Sequence, residues 1–216
     1  MAKMLIPIFD MADKYFLHSR KVYDLYKEYD DHYYYYVNTT ERKKNTIGSV
    51  LVVTVFTQPD WYAERYYNFI KELCNRVKNS GIKVEVNIKP HYRQNNEDLF
   101  LNLSKEYAFC KCIDKMQSVN ELLQKSNMIM SMTSSVLSEA VSVGTPGLII
   151  DIDGRDSNII STNDFAVEEV NFRCKSYEDV MMRLLYPESC IQEYSQRRKK
   201  FFEASNAITD ITSVFN

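Results

Sequence analysis

From residue 49 onward the chain alternates between two rhythms of apolar and polar positions. "SVLVVTVF" (49–56) is β-branched and apolar on both faces, which predicts a central strand of a parallel sheet. "PDWYAERYYNFIKELCNRVKNSG" then spaces Trp61, Phe69, Leu73 and Val77 as a helix does, with Pro59-Asp60 as a start and Gly81 as a stop. "IKVEVNI" (82–88) predicts a second strand, "KPHYRQ" a loop, "NEDLFLNLSKE" a helix and "YAFCKCI" a third strand. "SVNELLQKS" reads as a short helix in which Ser118 and Glu121 have the spacing of a capping box. "NMIMSM" is a fourth strand, residues 135–143 a helix and "GLIIDI" a fifth strand. Beyond these, "FAVEEV" is expected as the last strand, "SYEDVMMRLL" as a helix and residues 188–215 as one long C-terminal helix.

Strands that alternate with helices imply right-handed βαβ units, hence an α/β fold with a doubly wound parallel sheet. In such sheets ligands bind beyond the carboxyl ends of the strands, near the switch in strand order. Polar residues gather at those places. Thr57-Gln58 follow the first strand, Lys89-Pro90-His91-Tyr92-Arg93 the second, Asp114-Lys115 the third and Thr133-Ser134-Ser135 the fourth.

Residues 1–48 break this rhythm and form a separate segment from the domain expected over 49–216. They hold eight of the 16 tyrosines, including Tyr33 to Tyr36 in a row. "KMLIPIF" is expected as a strand, residues 13–29 as an amphipathic helix and "NTTERKKNT" as a linker. Aromatic rings with polar tips suit packing or an interface better than a ligand cage.

Charge and cysteine content narrow the partners. A formal net charge of −2 argues against generic nucleic-acid binding, which needs a strong basic field. Five cysteines without a CxxC pair suggest neither a disulfide framework nor a zinc site, and reduced thiols point to the cytoplasm. "MAKMLIPIFD" is too short an apolar stretch for a signal peptide, and no run reaches the length of a membrane span.

Two stretches carry candidate chemistry. In the helix from Ser135, Val136, Leu137, Ala140, Val141 and Val143 share one arc, while Ser135, Ser138, Glu139 and Ser142 share the other. Glu139 stands four residues after Ser135, one too many for a capping box. One reading makes the serines an N-cap and Glu139 a solvated side chain. The other makes the helix N-terminus a phosphate site, with Glu139 one turn in, where it accepts hydrogen bonds from a ribose diol. "IKPHYR" favours the second reading. Lys89, His91 and Arg93 place three potential cations in five residues at the same sheet edge, and these suit a diphosphate or phosphosugar.

K-P-H after the second strand, S-S-x-x-x-E at the helix after the fourth, and then G-T-P and a strand, together resemble the C-terminal, Rossmann-like lobe of GT-B glycosyltransferases. The likeness covers roughly residues 48 to 210. It lies nearest the bacterial capsule, sialic-acid and teichoic-acid transferases, whose motifs often read K-P-H-P and S-S-x-x-x-E-A; UDP-N-acetylglucosamine 2-epimerases are more distantly similar. The resemblance implies that His91 and Ser134-Ser135, with Lys89, Arg93 and Thr133 beside them, bind the phosphates of a nucleotide-sugar donor. It implies that Glu139 holds the ribose, and that Thr57, Gln58 and Asp114 lie in reach of the donor. It further implies transfer of the sugar to a carbohydrate or lipid-linked acceptor in surface-polysaccharide synthesis, with no metal and no cofactor beyond the donor.

Tyr92 departs from the second proline of that motif, and Ser134-Ser135 depart from the glycine pair of the epimerases. A complete GT-B enzyme has two lobes, and 48 residues are too few for the other one. The chain is therefore expected to be a truncated half that works with a missing lobe or a second copy, or to carry in 1–48 its own remnant of that lobe. No catalytic base is assigned. The alternatives are an epimerase or a non-catalytic nucleotide-binding module. "SQRRKKFF" (195–202) is either a solvated helix face or a peripheral contact with the inner face of an anionic membrane.

Overall fold

The computed structural model describes residues 47–59, 62–154, 157, 160 and 166–205, together with two short strands nearer the N-terminus. Those two are β1 (Tyr15–Leu17) and β2 (Tyr33–Tyr35), paired in parallel. Tyr15–Leu17 thus corrects the helix expected over 13–29. The strand expected in "KMLIPIF", the rest of that helix, the "NTTERKKNT" linker and residues 206–215 of the terminal helix lie outside the described residues. The chain divides into two compact units, residues 40–198 and residues 1–39 with 199–216.

The larger unit contains a six-stranded, wholly parallel sheet. Its strands are β3 (Leu51–Phe56), β4 (Val84–Lys89), β5 (Cys110–Cys112), β6 (Met128–Ser131), β7 (Gly147–Ile150) and β8 (Phe172–Cys174), in the order β5-β4-β3-β6-β7-β8. The chain runs outward from β3 to β5, then returns to place β6 on the other side of β3. That reversal puts the switch in strand order between β3 and β6. The continuous apolar runs exist because both sheet faces are covered: every residue of β6 and β7 is buried, as is all of β3 except Val52.

Helices α1 (Ala63–Ser80), α2 (Glu97–Glu106), α3 (Val119–Lys125), α4 (Val136–Val143), α5 (Tyr177–Leu185) and α6 (Pro187–Ser205) complete the fold. Helix α1 buries Tyr66, Phe69, Ile70, Leu73, Cys74 and Val77, the stripe that its 3.6-residue period dictates. Each aliphatic side chain so buried contributes about 1.5–3 kcal/mol. The helix stops at Gly81, whose φ of 71° is costly for any residue with a Cβ. On one face of the sheet Phe56, Ile129 and Ile149 pack with Leu122 and Leu123 of α3 and Leu137 and Ala140 of α4.

Helix α4 is held at both ends by distant residues. Buried Asn171 donates from Nδ2 to the carbonyls of Leu137 (3.2 Å) and Ala166 (2.7 Å). This works only because residue 147 is glycine, since a Cβ there would lie 2.5 Å from Asn171 Oδ1. At the C-terminal end, Arg198 donates from Nε to Val141 O (2.7 Å) and from Nη2 to Ser142 O (3.1 Å). Arg197 pairs with Glu193 (2.8 Å) and lies over the Phe172 ring. Lys199 lies 3.8 Å from Glu203, so three of the four cations in the basic run have partners.

The last strand corrects the expectation for "FAVEEV": Glu168–Val170 form a turn, and β8 begins at Phe172. Its Arg173 donates from Nε and Nη2 to Oδ2 of wholly buried Asp151, and from Nη1 to Glu168. The capping signals also fall differently. Ser118 accepts the Glu121 N–H, but the Glu121 carboxylate pairs with Lys125, whereas Ser176 and Asp179 form a complete capping box on α5. All five cysteines are free. Cys74, Cys110, Cys174 and Cys190 are buried and Cys112 is half-buried. Among the described residues no helix is long and apolar enough to cross a membrane.

Candidate donor-binding site

The carboxyl ends of β3, β4 and β6 bring most of the expected residues to one edge. β4 and β6 flank β3, so the loops that follow them leave the sheet about 10 Å apart, two interstrand spacings. Thr57 and Gln58 sit between them. The Gln58 amide Nε2 donates to Thr133 Oγ1 (2.5 Å) and joins the two sides of the switch point.

Thr57 is buried and serves as an anchor. Its hydroxyl donates to Gln94 Oε1 (2.5 Å) and accepts the N–H of His91 (3.1 Å), which itself lies 3.3 Å from Gln94 Oε1. The Gln94 N–H donates to His91 O (2.8 Å) and closes the turn. The K-P-H loop is thus fastened to the end of the central strand by a threonine and a glutamine. Gln94 is fully buried, and its role was invisible in the sequence because nothing in "YRQNN" marks an inward-facing amide.

His91 projects from that turn half-exposed. Its Nδ1 accepts the N–H of Arg93 (3.2 Å), which leaves the ring proton on Nε2 as an outward donor. Burial, and then the charges of Arg93 and Lys89, hold the imidazole below the usual histidine pKa and favour the neutral form. Its ring packs against Tyr92, centroids 4.4 Å apart, and the Arg93 guanidinium lies 5.2 Å from the same ring.

Lys89 is placed differently from the other candidates. It is 6% exposed, and its ammonium donates to the carbonyls of Pro90 and Lys115. Burial pushes its pKa down, against the upward pull of Asp114 and Glu97. Lys115 in turn pairs with Glu97 (2.5 Å) and donates to Gln94 O (3.3 Å). The two lysines lace the loop after β5 to the loop after β4. Asp114 is exposed and accepts the Met116 N–H (2.8 Å) to shape its own turn.

On the other side, fully buried Tyr66 fixes the exit of β6. Its hydroxyl accepts the Met132 N–H (2.9 Å) and contacts Ser131 Oγ (3.2 Å), which donates to Phe56 O (2.9 Å). The chain then turns at Thr133-Ser134-Ser135. Ser134 Oγ accepts the Val136 N–H (3.3 Å), while Ser135 makes no side-chain cap although it is the N-cap residue. The main-chain N–H groups of Ser134 and Ser135 take no partner among the described residues. Ser135 Oγ makes one long hydrogen bond, to Glu139 Oε1 (3.5 Å). Glu139 is exposed, yet the protein mass around its carboxyl raises the pKa above the ordinary range, with Ser135 pulling the other way. The edge therefore offers a guanidinium, an imidazole N–H, a hydroxyl and two unspent main-chain N–H groups. That donor set suits an anion.

No protein-family model and no curated protein matches the chain. Its fold does match solved structures. The wall teichoic acid polymerase TagF superimposes with a TM-score of 0.60 at 13% identity, covering 92% of this chain and 54% of that one. A UDP-N-acetylglucosamine 2-epimerase gives 0.57 at 17% identity, covering 86% and 52%. TarM gives 0.52 at 12% identity, covering 94% and 42%. The chain spans about half the length of these structures. The α/β, Rossmann-like fold of this chain is thus shared with part of each of these structures.

Proposed function

We propose that the protein is the donor-binding half of a GT-B glycosyltransferase that takes a sugar from a nucleotide-activated donor to an acceptor in bacterial surface-polysaccharide synthesis. The observation that carries this reading is the pinning of two loops to one switch point, through Thr57 to His91 and through Gln58 to Thr133. His91 Nε2–H, Arg93, the Ser135 hydroxyl and the N–H groups of Ser134-Ser135 would bind the donor phosphates, and Glu139 the ribose. The same groups would stabilise charge that develops on the nucleotide as it leaves. Lys89, Thr57 and Gln94 act behind them as a frame, and the reaction draws on no cofactor beyond the donor.

We assign residues 1–48 to a remnant of the acceptor lobe and 49–216 to the donor domain. The parallel pairing of β1 and β2 supports this, because parallel pairing is the strand arrangement of α/β lobes. The acceptor and the catalytic base would come from a companion lobe or a second copy. Free thiols throughout support a cytoplasmic setting, and the exposed Lys200, with Lys199 in a loose pair to Glu203, would meet an anionic inner membrane face. The likeness to an epimerase keeps a second reading alive, which product analysis without acceptor separates.

The test is thermal stability with CDP, UDP or CMP at about 1 mM. Bound nucleotide raises the melting temperature by mass action, and His91→Ala or Ser135→Ala lowers that rise. No shift with any of the three would end the proposal.

A further inference from the structure

Tyr92 stands between two candidate ligands and is 57% exposed. A large aromatic ring left in water at the mouth of a polar site asks for a reason. Its hydroxyl has no hydrogen-bond partner among the described residues, and its ring contacts are with His91 (4.4 Å) and Arg93 (5.2 Å). Among the described residues the Arg93 guanidinium has no carboxylate partner. The acids at the start of α2 and in the loop after β5 serve other groups, Glu97 pairing with Lys115 (2.5 Å) and Asp114 Oδ1 accepting the Met116 N–H (2.8 Å). The ring is thus the contact that holds the guanidinium, and it packs against an imidazole already fixed at Nδ1 by the Arg93 N–H. A guanidinium that rests on an aromatic face keeps all its N–H donors free for an oxyanion, unlike one tied up in an ion pair.

We propose that Tyr92 is a positioning residue whose ring holds the Arg93 guanidinium and the His91 imidazole side by side as a preformed clamp for the donor phosphates. This rests on the reading of the edge as a nucleotide-sugar site. The ring would lower the ordering cost that a long arginine otherwise meets on binding. It also shields the imidazole from water, in keeping with the neutral His91 that burial, Arg93 and Lys89 favour.

The experiment measures dissociation constants for CDP and UDP by calorimetry in the wild type, Tyr92→Phe, Tyr92→Ala, Arg93→Ala and the Tyr92→Ala/Arg93→Ala pair. In parallel, NMR titration reads the His91 imidazole pKa without nucleotide. Tyr92→Phe should bind as the wild type does, because the ring and not the hydroxyl makes the contacts. Tyr92→Ala should weaken binding about 2- to 10-fold. The double variant should be no weaker than Arg93→Ala alone, since the tyrosine acts through the arginine. The His91 pKa should rise in Tyr92→Ala and stay put in Tyr92→Phe. Unchanged affinity in Tyr92→Ala, an equal loss in Tyr92→Phe, or additive losses in the double variant would overturn the clamp and leave the donor site standing. A wild type that binds neither nucleotide would overturn the site and the clamp together, whatever the NMR titration reads.

Discussion

Replacing Thr57 by valine removes one hydroxyl and almost no volume, so it tests whether the K-P-H loop is fastened as described. The hydroxyl carries two hydrogen bonds, to Gln94 Oε1 at 2.5 Å and from the His91 N–H at 3.1 Å, at a position 3% exposed. At about 0.5–1.5 kcal/mol each, their loss costs about 1–3 kcal/mol. The new γ-methyl returns about 0.8 kcal/mol by burial, which leaves a net loss centred on about 1.2 kcal/mol. Relief within the native state is limited. Gln94 is wholly buried, keeps one 3.3 Å contact from the His91 N–H at Oε1, and already has an unpartnered Nε2. In urea the midpoint should fall by roughly 0.5–1 M with an unchanged m-value. Affinity for CDP or UDP should fall as well, because His91 and Arg93 ride on the loosened turn. A midpoint within about 0.2 M of the wild type, with nucleotide binding intact, would show that the hydroxyl does not anchor the loop.

Further predictions follow from other contacts. Tyr66→Phe strands the buried Met132 N–H and should cost about 1–3 kcal/mol by chemical denaturation. Arg173→Met leaves the Asp151 carboxylate buried without its guanidinium and should cost about 3–5 kcal/mol, read as a fall in melting temperature. Glu139 has a raised folded pKa, so the folded state holds that proton more tightly than the unfolded chain, and ionisation removes stability as pH rises past the ordinary carboxylate value. Glu139→Gln should therefore be the more stable protein at neutral pH, lose that advantage in acid, and bind nucleotide more weakly. A Gln variant that is less stable at neutral pH would refute this. The folded pKa of His91 is depressed, so its stabilising contribution is present above the unfolded value and disappears as pH falls through the folded one. A diphosphate prefers the imidazolium, so CDP affinity should rise between about pH 7.5 and pH 5.5 in the wild type, and less so in His91→Gln.

The strands of the larger unit were readable because a parallel sheet covered on both faces demands unbroken β-branched runs, as Leu51–Phe56 and Met128–Ser131 supply. The last strand was missed because it is three residues long with Arg173 at its centre, and it is held by a buried carboxylate that no local pattern announces. Tyr15–Leu17 was misjudged because helical spacing of apolar residues says nothing of a strand partner eighteen positions away. The gathering of polar residues at one sheet edge was legible, but which of them the fold itself employs was not. Lys89 counted as a phosphate ligand on charge alone, whereas its burial and carbonyl partners make it part of the frame. Gln94 and Tyr66 escaped notice because their importance lies wholly in what they reach across the fold.

The distribution of thiols has a practical consequence. Cys74 on α1, Cys110 on β5, Cys174 on β8 and Cys190 on α6 are each sealed from solvent. Burial also pushes Cys174 up to about 12 and Cys190 up to about 11, so a thiol reagent meets little thiolate even where it gains entry. Modification must then wait for local opening. The two edges of the sheet and the two helices each carry a native stopwatch, with half-buried Cys112 as the early mark. Timed alkylation followed by mass spectrometry would rank those regions by opening rate, with no label introduced and no residue changed.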